Sequence, residues 1–344
     1  MNILMIAPVF YPHIGGVEKH IKRVSEELIR KENEVTVLTQ MHDQYLADFD
    51  IINKIRIFRF HNSSSLKIWL WIYRHRELIK SSDVIHCHDF AVFILWYLPF
   101  RFLYYSKPSF ITFHGYEGNI PIPKSVLILR KICELLTKGN ICIGDYITKW
   151  YGTKPSFITY GGVDLPLDNN DQESHGTIFI GRLERDTGVL EYIETILILK
   201  AKFGIEMEME IYGDGGLRKM IEEIIAKNNL KIRLNGFVEN PMKFLAKSKF
   251  AFVSGYLAIL EAMINKKLVL SIYTNEIKKD YLRMMPDSDK IMVIASSAEE
   301  LAGKIEELLN NQQYVECKIK NAFEFAKRQT WESETDIYIK LWEI

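Results

Sequence analysis

The stretch that decides the fold covers residues 2–28 and reads NILMIAPVFYPHIGGVEKHIKRVSEEL. Its apolar run at residues 3–9 predicts a buried strand, and Gly15 and Gly16 place a turn after that strand. From Val17 onward, apolar residues recur with helical spacing, which predicts one apolar helix face. A strand followed by a glycine turn and a helix is the first part of a βαβ unit. The stretch therefore indicates a parallel sheet covered by helices.

Short apolar runs alternate with helical segments along almost the whole chain, which is the pattern of an α/β protein. The predicted strands lie at residues 3–9, 34–39, 55–60, 84–88, 109–114, 141–144, 156–160, 177–180, 207–212, 232–235, 250–254, 268–272 and 291–294. A polar, turn-rich segment, 161–176, predicts a linker. We therefore predict two Rossmann-like, doubly wound domains at residues 1–162 and 163–328. The last helical segment, 329–344, has an apolar face to cover, and we expect it to pack back on the first domain.

Length and composition set bounds on the function. A chain of 344 residues exceeds the usual size of one hydrophobic core, and 48% apolar residues suffice for two. Lys plus Arg and Asp plus Glu number 44 each, so no long-range field would gather nucleic acid, and we expect no nucleic-acid partner. The four cysteines show no CxxC spacing, which predicts buried thiols in a reducing compartment rather than metal ligands.

Two segments bear on membrane insertion. The N-terminal segment lacks a basic region and a small-residue cleavage site, so we interpret it as a core strand and not as a signal peptide. Residues 90–105, FAVFILWYLPFRFLYY, are interrupted by Pro99 and Arg101 and fall short of the ~20 apolar residues of a spanning helix. Together with the aromatic and basic residues 69–76, they fit either buried core or a surface that contacts a membrane. We expect a cytoplasmic protein, with contact to the inner face of the membrane left open.

Two glycine turns are suited to binding a phosphate group. Gly15 and Gly16 precede a helix, whose N-terminal amides favour an anion, although a Gly-Gly turn also serves as a plain tight connection. Gly213 lies in the strand-to-helix turn YGDGG, which has the same two interpretations. The position of these turns after predicted strands, more than their composition, makes them candidates.

Arg182 and Glu261 are the charged candidates of the second domain. Arg182 follows a predicted strand at the carboxyl end of the sheet, where open α/β sheets bind ligands; the alternative is a surface ion pair with Glu184 or Asp186. Glu261 is a single carboxylate in a short apolar segment and needs a partner. A ribose diol would supply two hydroxyl donors, and the alternative is a capping or ion-paired glutamate.

Three histidines end two neighbouring predicted strands. His86 and His88 belong to the strand at 84–88, and His114 ends the strand at 109–114. We expect the His86 and His88 rings to point to opposite faces of their strand, which argues against a shared metal ion. We therefore predict no metal site, and we interpret His114 as a neutral imidazole that hydrogen-bonds sugar hydroxyls or the group being transferred.

Eight short segments, taken in this order, resemble glycosyltransferase family 4 of the GT-B fold, and the likeness covers nearly the whole chain. They are PVFYPHIGGVEKH (8–20), DVIHCHD (83–89), TFHG (112–115), GGVD (161–164), GRLERDTG (181–188), YGDG (212–215), GFV (236–238) and LEAM (260–263). The resemblance implies two Rossmann-like domains facing a central cleft, with the C-terminal helix returning to the first domain. It also implies a retaining transfer of a hexose-type sugar from a UDP- or GDP-linked donor to a glycan or lipid-linked acceptor.

The resemblance also assigns roles to residues of this chain. The second domain would bind the nucleotide-sugar and the first the acceptor, with no metal or other cofactor. By position, Gly15, Gly16 and Arg182 would hold the diphosphate, Glu261 the ribose, and His114 the donor sugar near the reacting carbon. The remaining positions that match the donor site are Gly213, Ser254, Gly255, Tyr256 and Leu257.

Two departures from the family pattern bear on activity. The family's diphosphate-binding lysine corresponds to Thr187, for which Arg185 could substitute. The first glutamate of the family's paired-glutamate motif corresponds to Val253, in a shortened loop where Ser254 and backbone N–H groups would have to hold the sugar. We therefore keep two alternatives to an active transferase: a catalytically silent relative that binds nucleotide, glycan or a partner enzyme, and a GT-B epimerase acting on the sugar nucleotide itself.

Overall fold

The protein divides into two compact units, each with its own parallel sheet. The computed structural model describes residues 1–61, 64–115, 120–165, 176–238, 242–245 and 248–344. The first unit comprises Met1–Gly161 and Trp331–Ile344, and the second comprises Gly162–Thr330. Most of the predicted linker, residues 166–175, lies outside the described residues. The predicted fold class, two α/β units with doubly wound sheets, is confirmed.

An eight-stranded sheet forms the centre of the first unit, in the order β3-β4-β2-β1-β5-β6-β7-β8. Its strands are β1 (Asn2–Ala7), β2 (Glu34–Gln40), β3 (Phe49–Ile52), β4 (Ile55–Phe60), β5 (Val84–His88), β6 (Ser109–Phe113), β7 (Gly139–Ile143) and β8 (Phe157–Thr159). β3 and β4 pair antiparallel, and the other neighbours pair in parallel. The sequence does not predict β3, which is a short edge strand with only exposed and half-buried residues.

Helices cover both faces of this sheet, as parallel strands require. They are α1 (Gly16–Arg30), α2 (Ser65–Arg74), α3 (Glu77–Ser81), α4 (Phe90–Val92), α5 (Leu98–Leu103), α6 (Lys124–Leu136), α7 (Tyr146–Tyr151) and, from the end of the chain, α16 (Trp331–Trp342). A π-helix, Phe93–Tyr97, joins α4 to α5. α1 buries Ile21, Val24 and Leu28, so the helical face predicted after the glycine turn is the face that packs on the sheet.

The C-terminal helix α16 is part of the first unit. It packs on α1 and near the ends of β7 and β8. Its residues Tyr338, Leu341 and Trp342 are buried, so the apolar face predicted to need a covering surface has one. The return of the last helix to the first domain is therefore confirmed.

The second unit contains a six-stranded, wholly parallel sheet in the order β11-β10-β9-β12-β13-β14. Its strands are β9 (Thr177–Ile180), β10 (Met209–Tyr212), β11 (Ile232–Gly236), β12 (Phe250–Phe252), β13 (Leu268–Ile272) and β14 (Met292–Ala295). Its helices are α8 (Val189–Phe203), α9 (Arg218–Asn228), α10 (Met242–Leu245), α11 (Tyr256–Ile264), α12 (Glu276–Arg283), α13 (Ser288–Ile291), α14 (Ala298–Leu309) and α15 (Gln312–Ala326), with a 3₁₀ turn at Arg185–Thr187. One apolar cluster between strands and helices forms the core.

The strand orders fix where ligands are expected. In the first sheet the direction of winding changes at β1, which lies between β2 and β5, and in the second it changes at β9, which lies between β10 and β12. Open α/β sheets bind ligands at the carboxyl ends of the strands flanking such a switch point. In this chain the Gly15 turn follows β1, β5 ends at His88, Arg182 follows β9 and Ser254 follows β12.

The helical region 90–103 and the cysteines refine two sequence predictions. Along this helical region Phe93, Tyr97 and Phe100 are buried whereas Phe102 is exposed, so one side is core and the other is surface. In the part of the chain that the structure describes, no helix has the length and apolar character needed to cross a membrane. Three cysteines are buried as predicted, but the prediction is wrong for Cys317, which is exposed on α15.

Candidate functional site

Arg182 lies two residues beyond the end of β9, at the switch point of the second sheet. Its guanidinium Nη2 donates to Asp186 Oδ2 at 2.8 Å, and its side chain is 67% exposed. The ion pair expected as one alternative is thus present. An exposed pair of this kind contributes little to stability, so Arg182 could exchange Asp186 for a phosphate at small cost.

Thr187 and Ser254 join the two loops at this switch point. The Thr187 hydroxyl lies 2.7 Å from the Glu184 carbonyl oxygen and 3.0 Å from that of Arg182. The Ser254 hydroxyl donates to the Thr187 carbonyl oxygen at 3.1 Å. The structure thus brings Arg182, Thr187 and Ser254 together, with two of the three predicted side chains bonded to backbone carbonyls. Arg185, the predicted substitute cation, is exposed on the same 3₁₀ turn.

Lys278 is a charged residue of this region that the sequence analysis missed. Its ammonium donates to the Ser254 carbonyl oxygen at 2.6 Å and lies 4.2 Å from the centre of the Tyr281 ring. Burial lowers the pKa of Lys278 to about 8, while the negative charge of Asp186 acts in the opposite direction. The sequence carried no signal for this placement, because Lys278 is one of two adjacent lysines on a polar helix.

The segment after β12 replaces the loop in which the family carries its first glutamate. Val253 is buried, and its carbonyl oxygen accepts a hydrogen bond from the Ser271 hydroxyl at 2.6 Å, so this position belongs to the core. Gly255 is the N-cap of α11, and a Cβ atom there would meet open space. The Tyr256 amide donates to the Tyr281 hydroxyl at 2.8 Å. Tyr256 therefore has a protein partner, and Gly255 is the more open of the two amide positions.

Leu257 and Glu261 lie further along α11. Leu257 is half-buried in the first turn of the helix, and Glu261 is buried in the second. The Glu261 carbonyl oxygen accepts a hydrogen bond from the Asn265 side-chain amide at 2.8 Å, within the last turn. Both residues thus follow the switch-point loop on one short helix, as the sequence predicts.

Gly213 has a packing role in this structure. It adopts a φ of 148°, and a Cβ atom there would lie 1.8 Å from the Gly181 carbonyl oxygen. Its amide donates to the Gly236 carbonyl oxygen at 2.8 Å. Further along the turn, the Gly216 amide donates to Glu184 Oε1 at 2.8 Å. Glycine is therefore required at 213 by close backbone approach, whether or not a ligand binds there.

The Gly15-Gly16 turn of the first unit lies at the N-terminus of α1. Gly15 is the N-cap, and space around a Cβ atom at Gly16 is open. The Glu18 carboxylate lies against Gly15, and its Oε1 is 2.9 Å from His13 Nδ1. A protein carboxylate therefore already lies near this helix end, as the helix dipole favours.

His114 lies directly after β6 and is held by two neighbours. Its Nε2 is 2.9 Å from His88 Nδ1, and its backbone amide donates to Asp89 Oδ1 at 3.0 Å. Asp89 has φ 72° and ψ 153°, a region that non-glycine residues rarely adopt. Such backbone strain is concentrated at functional sites. Burial lowers the pKa of His114 to about 3, so its imidazole is neutral, as predicted.

The tautomer of His114 follows from its neighbour. Burial, and to a lesser degree His86, lower the pKa of His88 well below its ordinary value, so both rings of the pair are neutral. Within the described residues, His88 Nε2 is buried without a hydrogen-bond partner. A buried N–H without a partner is rarer than a buried acceptor without one, so we assign the His88 proton to Nδ1, which donates to His114 Nε2. His114 then carries its proton on Nδ1.

The prediction that His86 and His88 point to opposite faces is wrong. Their ring centroids are 5.1 Å apart, because residues two apart in a strand share a face. His86 Nε2 lies 2.8 Å from the Thr112 hydroxyl, and the Trp342 indole donates to His86 Nδ1 at 3.1 Å. Across the described ranges, no three His, Cys, Asp or Glu side chains are grouped as a metal site would require.

A hydrogen-bonded chain continues from this cluster into α16. The Tyr338 hydroxyl lies 3.0 Å from the Thr112 hydroxyl and 2.9 Å from His20 Nε2. His20 Nε2 is 3.5 Å from Glu334 Oε1, and the Thr159 hydroxyl donates to the same carboxylate. Burial raises the pKa of Glu334 to about 7. The last helix is thus joined to the sheet by buried polar groups that the sequence analysis did not identify.

Comparisons with known proteins agree with this architecture. Residues 14–165 match the family described as Glycosyltransferase Family 4, and residues 168–325 match the one described as Glycosyl transferases group 1. An uncharacterized glycosyltransferase of Methanocaldococcus jannaschii is 26% identical over 356 aligned positions, which cover 96% of this chain and 95% of the relative.

Solved structures match along nearly the whole length. The Anabaena protein HepE in complex with UDP has a TM-score of 0.77 at 14% identity, covering 99% of this chain and 98% of HepE. Sucrose-phosphate synthase of Thermosynechococcus elongatus has a TM-score of 0.75 at 16% identity, with coverage of 99% and 98%. S. aureus TarM, in complex with UDP and sugar ligands, has a TM-score of 0.75 at 13% identity, with coverage of 100% of each chain.

Two doubly wound units, with the last helix returned to the first, define the GT-B fold. The two family matches and the curated relative identify the class of protein as a glycosyltransferase. The two family matches together span most of the chain. The chain is a glycosyltransferase similar to family 4.

Proposed function

We propose that this glycosyltransferase moves a hexose-type sugar from a UDP- or GDP-linked donor to a hydroxyl group of a glycan or lipid-linked acceptor, with retention of the anomeric configuration. The observation that carries the proposal is the arrangement of Arg182, Thr187 and Ser254 at the switch point of the second sheet. Structural neighbours support the donor class, because HepE has been solved with UDP and with UDP-glucose and TarM with UDP.

The proposed roles divide along the two units. In the second unit, Arg182 and the amide of Gly255 bind the diphosphate, and Glu261 binds the ribose. In the first unit, the Gly15-Gly16 turn offers amides to a phosphate group, and the Nδ1–H of His114 hydrogen-bonds a sugar. A neutral imidazole suits this role, since it can donate one hydrogen bond without placing a charge beside a sugar.

The proposed chemistry requires no protein nucleophile, metal or other cofactor. Rate acceleration comes from holding the donor and acceptor in a reactive orientation and from stabilising the negative charge of the departing diphosphate. The acceptor hydroxyl attacks the anomeric carbon on the face that the diphosphate leaves. The leaving diphosphate oxygen accepts the hydroxyl proton, so protons and charges balance.

A donor panel tests the reaction. The protein is incubated with UDP- and GDP-sugars, with and without sugar and lipid-linked acceptors, and the released nucleoside diphosphate is measured. Release that depends on an acceptor is expected. Tight nucleotide binding without release would favour a silent binding protein, and interconversion of donor sugars without an acceptor would favour an epimerase.

Arg182→Ala and Glu261→Ala are each expected to weaken nucleoside-diphosphate binding about tenfold or more, because each change removes one charge-assisted hydrogen bond. Isothermal titration calorimetry with UDP and GDP measures the effect. Arg233→Ala is the matched control, since Arg233 is 75% exposed and paired with Glu210 on the same unit. If neither test variant changes the affinity, the donor-site assignment is wrong.

We also propose that the first unit contacts a membrane surface through α2. This helix buries Ile68 and Ile72, while Leu66, Leu70 and Tyr73 on another face are 63%, 51% and 51% exposed. Exposed apolar residues at this spacing form a continuous stripe, and basic side chains beside it would favour anionic lipid. The proposal would place the protein at the inner face of the membrane.

Leu66→Ser combined with Leu70→Ser is expected to lower partitioning onto anionic vesicles about tenfold or more, because two exposed leucines lose the gain of burial in lipid. Co-sedimentation with phosphatidylglycerol-containing vesicles measures it. Met220→Ser, at an exposed position of the second unit, is the control. Equal sedimentation of the double variant and the unchanged protein would exclude this face as the contact.

A further inference from the structure

The switch point of the second unit lacks the diphosphate-binding lysine of the family pattern. Another cation, Lys278, lies next to this point. Thr187 stands where the family pattern has a diphosphate-binding lysine, and its hydroxyl is bonded to backbone carbonyls. The helix α12 contacts the Ser254 loop through Lys278 in its first turn and Tyr281 in its second. The position of α12 therefore decides whether a second positive charge reaches this loop.

Three contacts fix α12 against the loop. The Tyr281 hydroxyl accepts the Tyr256 amide at 2.8 Å, and the Tyr256 hydroxyl donates to the Tyr281 carbonyl oxygen at 2.6 Å. The two rings stack with centroids 3.8 Å apart and planes 9° apart. The start of α12 is defined by Asn275, whose side chain accepts the Lys278 amide at 2.8 Å. The backbone that carries Lys278 is therefore held in place.

The Lys278 ammonium lies at the loop that Thr187 contacts. It donates to the Ser254 carbonyl oxygen at 2.6 Å, and the Ser254 hydroxyl in turn donates to the Thr187 carbonyl oxygen at 3.1 Å. An ammonium has three N–H donors, so the bond to Ser254 leaves donors for an anion. Asp186, which is bonded to Arg182, also acts on the charge of Lys278. Asp186 therefore interacts with both cations in the free protein.

We propose that Lys278 is a diphosphate-binding residue that supplies the positive charge absent at Thr187, so that Arg182 and Lys278 together bind the diphosphate of the donor. This inference rests on the proposed function, since it names a further residue of the same site. The cation comes from α12, 91 positions after Thr187 in the chain, and not from the 3₁₀ turn that follows β9. Partial burial of the ammonium in the free protein means that an anionic ligand stabilises a charge that is poorly solvated.

The neighbouring lysine provides a matched control. Lys279 is one position further along α12, and its ammonium is paired with Glu276 at 3.1 Å. Lys278→Met and Lys279→Met therefore remove the same charge from the same helix, but only the first removes it from the Ser254 loop. Thr187→Lys restores the family residue and tests whether the two positions serve one function.

The experiment is isothermal titration calorimetry with UDP and GDP on the full chain. Lys278→Met is expected to weaken the better-bound nucleoside diphosphate about ten- to thirtyfold, and Lys279→Met to leave it unchanged. Adding Thr187→Lys to Lys278→Met is expected to recover most of the loss. The affinity for the matching nucleoside, which has no phosphate, is expected to be the same in all variants, which a merely structural effect on the loop would not produce.

The outcomes separate this inference from the proposed function. If the unchanged protein binds a nucleoside diphosphate and Lys278→Met binds it equally well, or if both methionine variants lose the same affinity, the role of Lys278 is refuted and the proposed function stands. If the unchanged protein binds neither UDP nor GDP, the proposed function fails. Should Lys278→Met not fold, Lys278→Gln, which keeps a donor to Ser254 without the charge, must show the same loss.

Discussion

Replacement of His114 by alanine is expected to slow glycosyl transfer about 10²- to 10³-fold and to leave nucleoside-diphosphate affinity unchanged. The proposed hydrogen bond from His114 Nδ1–H to the donor sugar strengthens as charge develops at the reacting carbon, and losing such a bond has an effect of this size. The proposed nucleotide contacts of Arg182, Lys278 and Glu261 are in the other unit, so the change at His114 leaves them unaltered. We therefore expect a lower kcat and an unchanged affinity for the nucleotide.

Steady-state rates with the best donor and acceptor, combined with UDP or GDP titrations, measure the two quantities separately. His61→Ala is the matched control, because the His61 side chain is 75% exposed. His114→Asn retains a side-chain N–H donor and is expected to keep part of the rate. An unchanged kcat in His114→Ala, in a protein with an unchanged unfolding midpoint, would remove His114 from the reaction.

Lowering the pH from 7 to 4 is expected to reduce the free energy of unfolding of the first unit, and the contribution of His114 alone falls by about 3 kcal/mol. The folded pKa of His114 is about 3, against an ordinary value of 6.5. Its contribution to stability is fully present above pH 6.5 and is lost as the pH falls towards 3. Burial lowers the pKa values of His20, His86 and His88 as well, so their contributions are lost in the same direction.

Over part of this pH range, Glu334 raises the free energy of unfolding as the pH falls. Its folded pKa is raised to about 7 from an ordinary 4.5, so its protonated form is favoured and its contribution grows as the pH falls from 7 to 4.5. The loss caused by the histidines is therefore partly offset above pH 4.5 and is steepest below it. Glu334→Gln removes the offset, and the variant is expected to be more stable than the unchanged protein at pH 8, with the difference vanishing below pH 4.5.

Tryptophan fluorescence during urea unfolding isolates the first unit, because all six tryptophans lie in it. Unfolding curves at pH 8, 7, 5.5 and 4 are expected to show the lowest stability at pH 4. In Glu334→Gln, which lacks the offset, a free energy of unfolding that does not change between pH 7 and pH 4 would show that the histidines titrate normally.

The sequence predicts most of this fold because its central strands are continuous apolar runs. Residues 3–7 of β1 and all of β12 are apolar and buried, and a run of that kind bounded by turn residues has few other interpretations. The strand β3 was missed for the opposite reason, since it has no buried side. A turn at Asn53 and Lys54, both with positive φ, joins β3 to β4. Of these two residues, only asparagine is typical of such a turn.

The site was predictable only where it follows directly from a strand end. Arg182 and Ser254 were located by their positions after β9 and β12, which chain order alone provides. Lys278 and Lys279 are chemically identical neighbours, and the packing of Tyr281 on Tyr256 decides which of them reaches the loop. The chain from His86 to Tyr338 joins residues more than 200 positions apart, which no local pattern can reveal.

We propose that this chain transfers a sugar from a nucleoside-diphosphate donor. The most direct measurement is nucleoside-diphosphate release from a panel of UDP- and GDP-sugars in the presence of glycan and lipid-linked acceptors, with the anomeric configuration of the product determined by NMR. Acceptor-dependent release from at least one donor, a product with retained configuration, and weaker release in Arg182→Ala are expected. No release from any donor, or release of a product with inverted configuration, would contradict it.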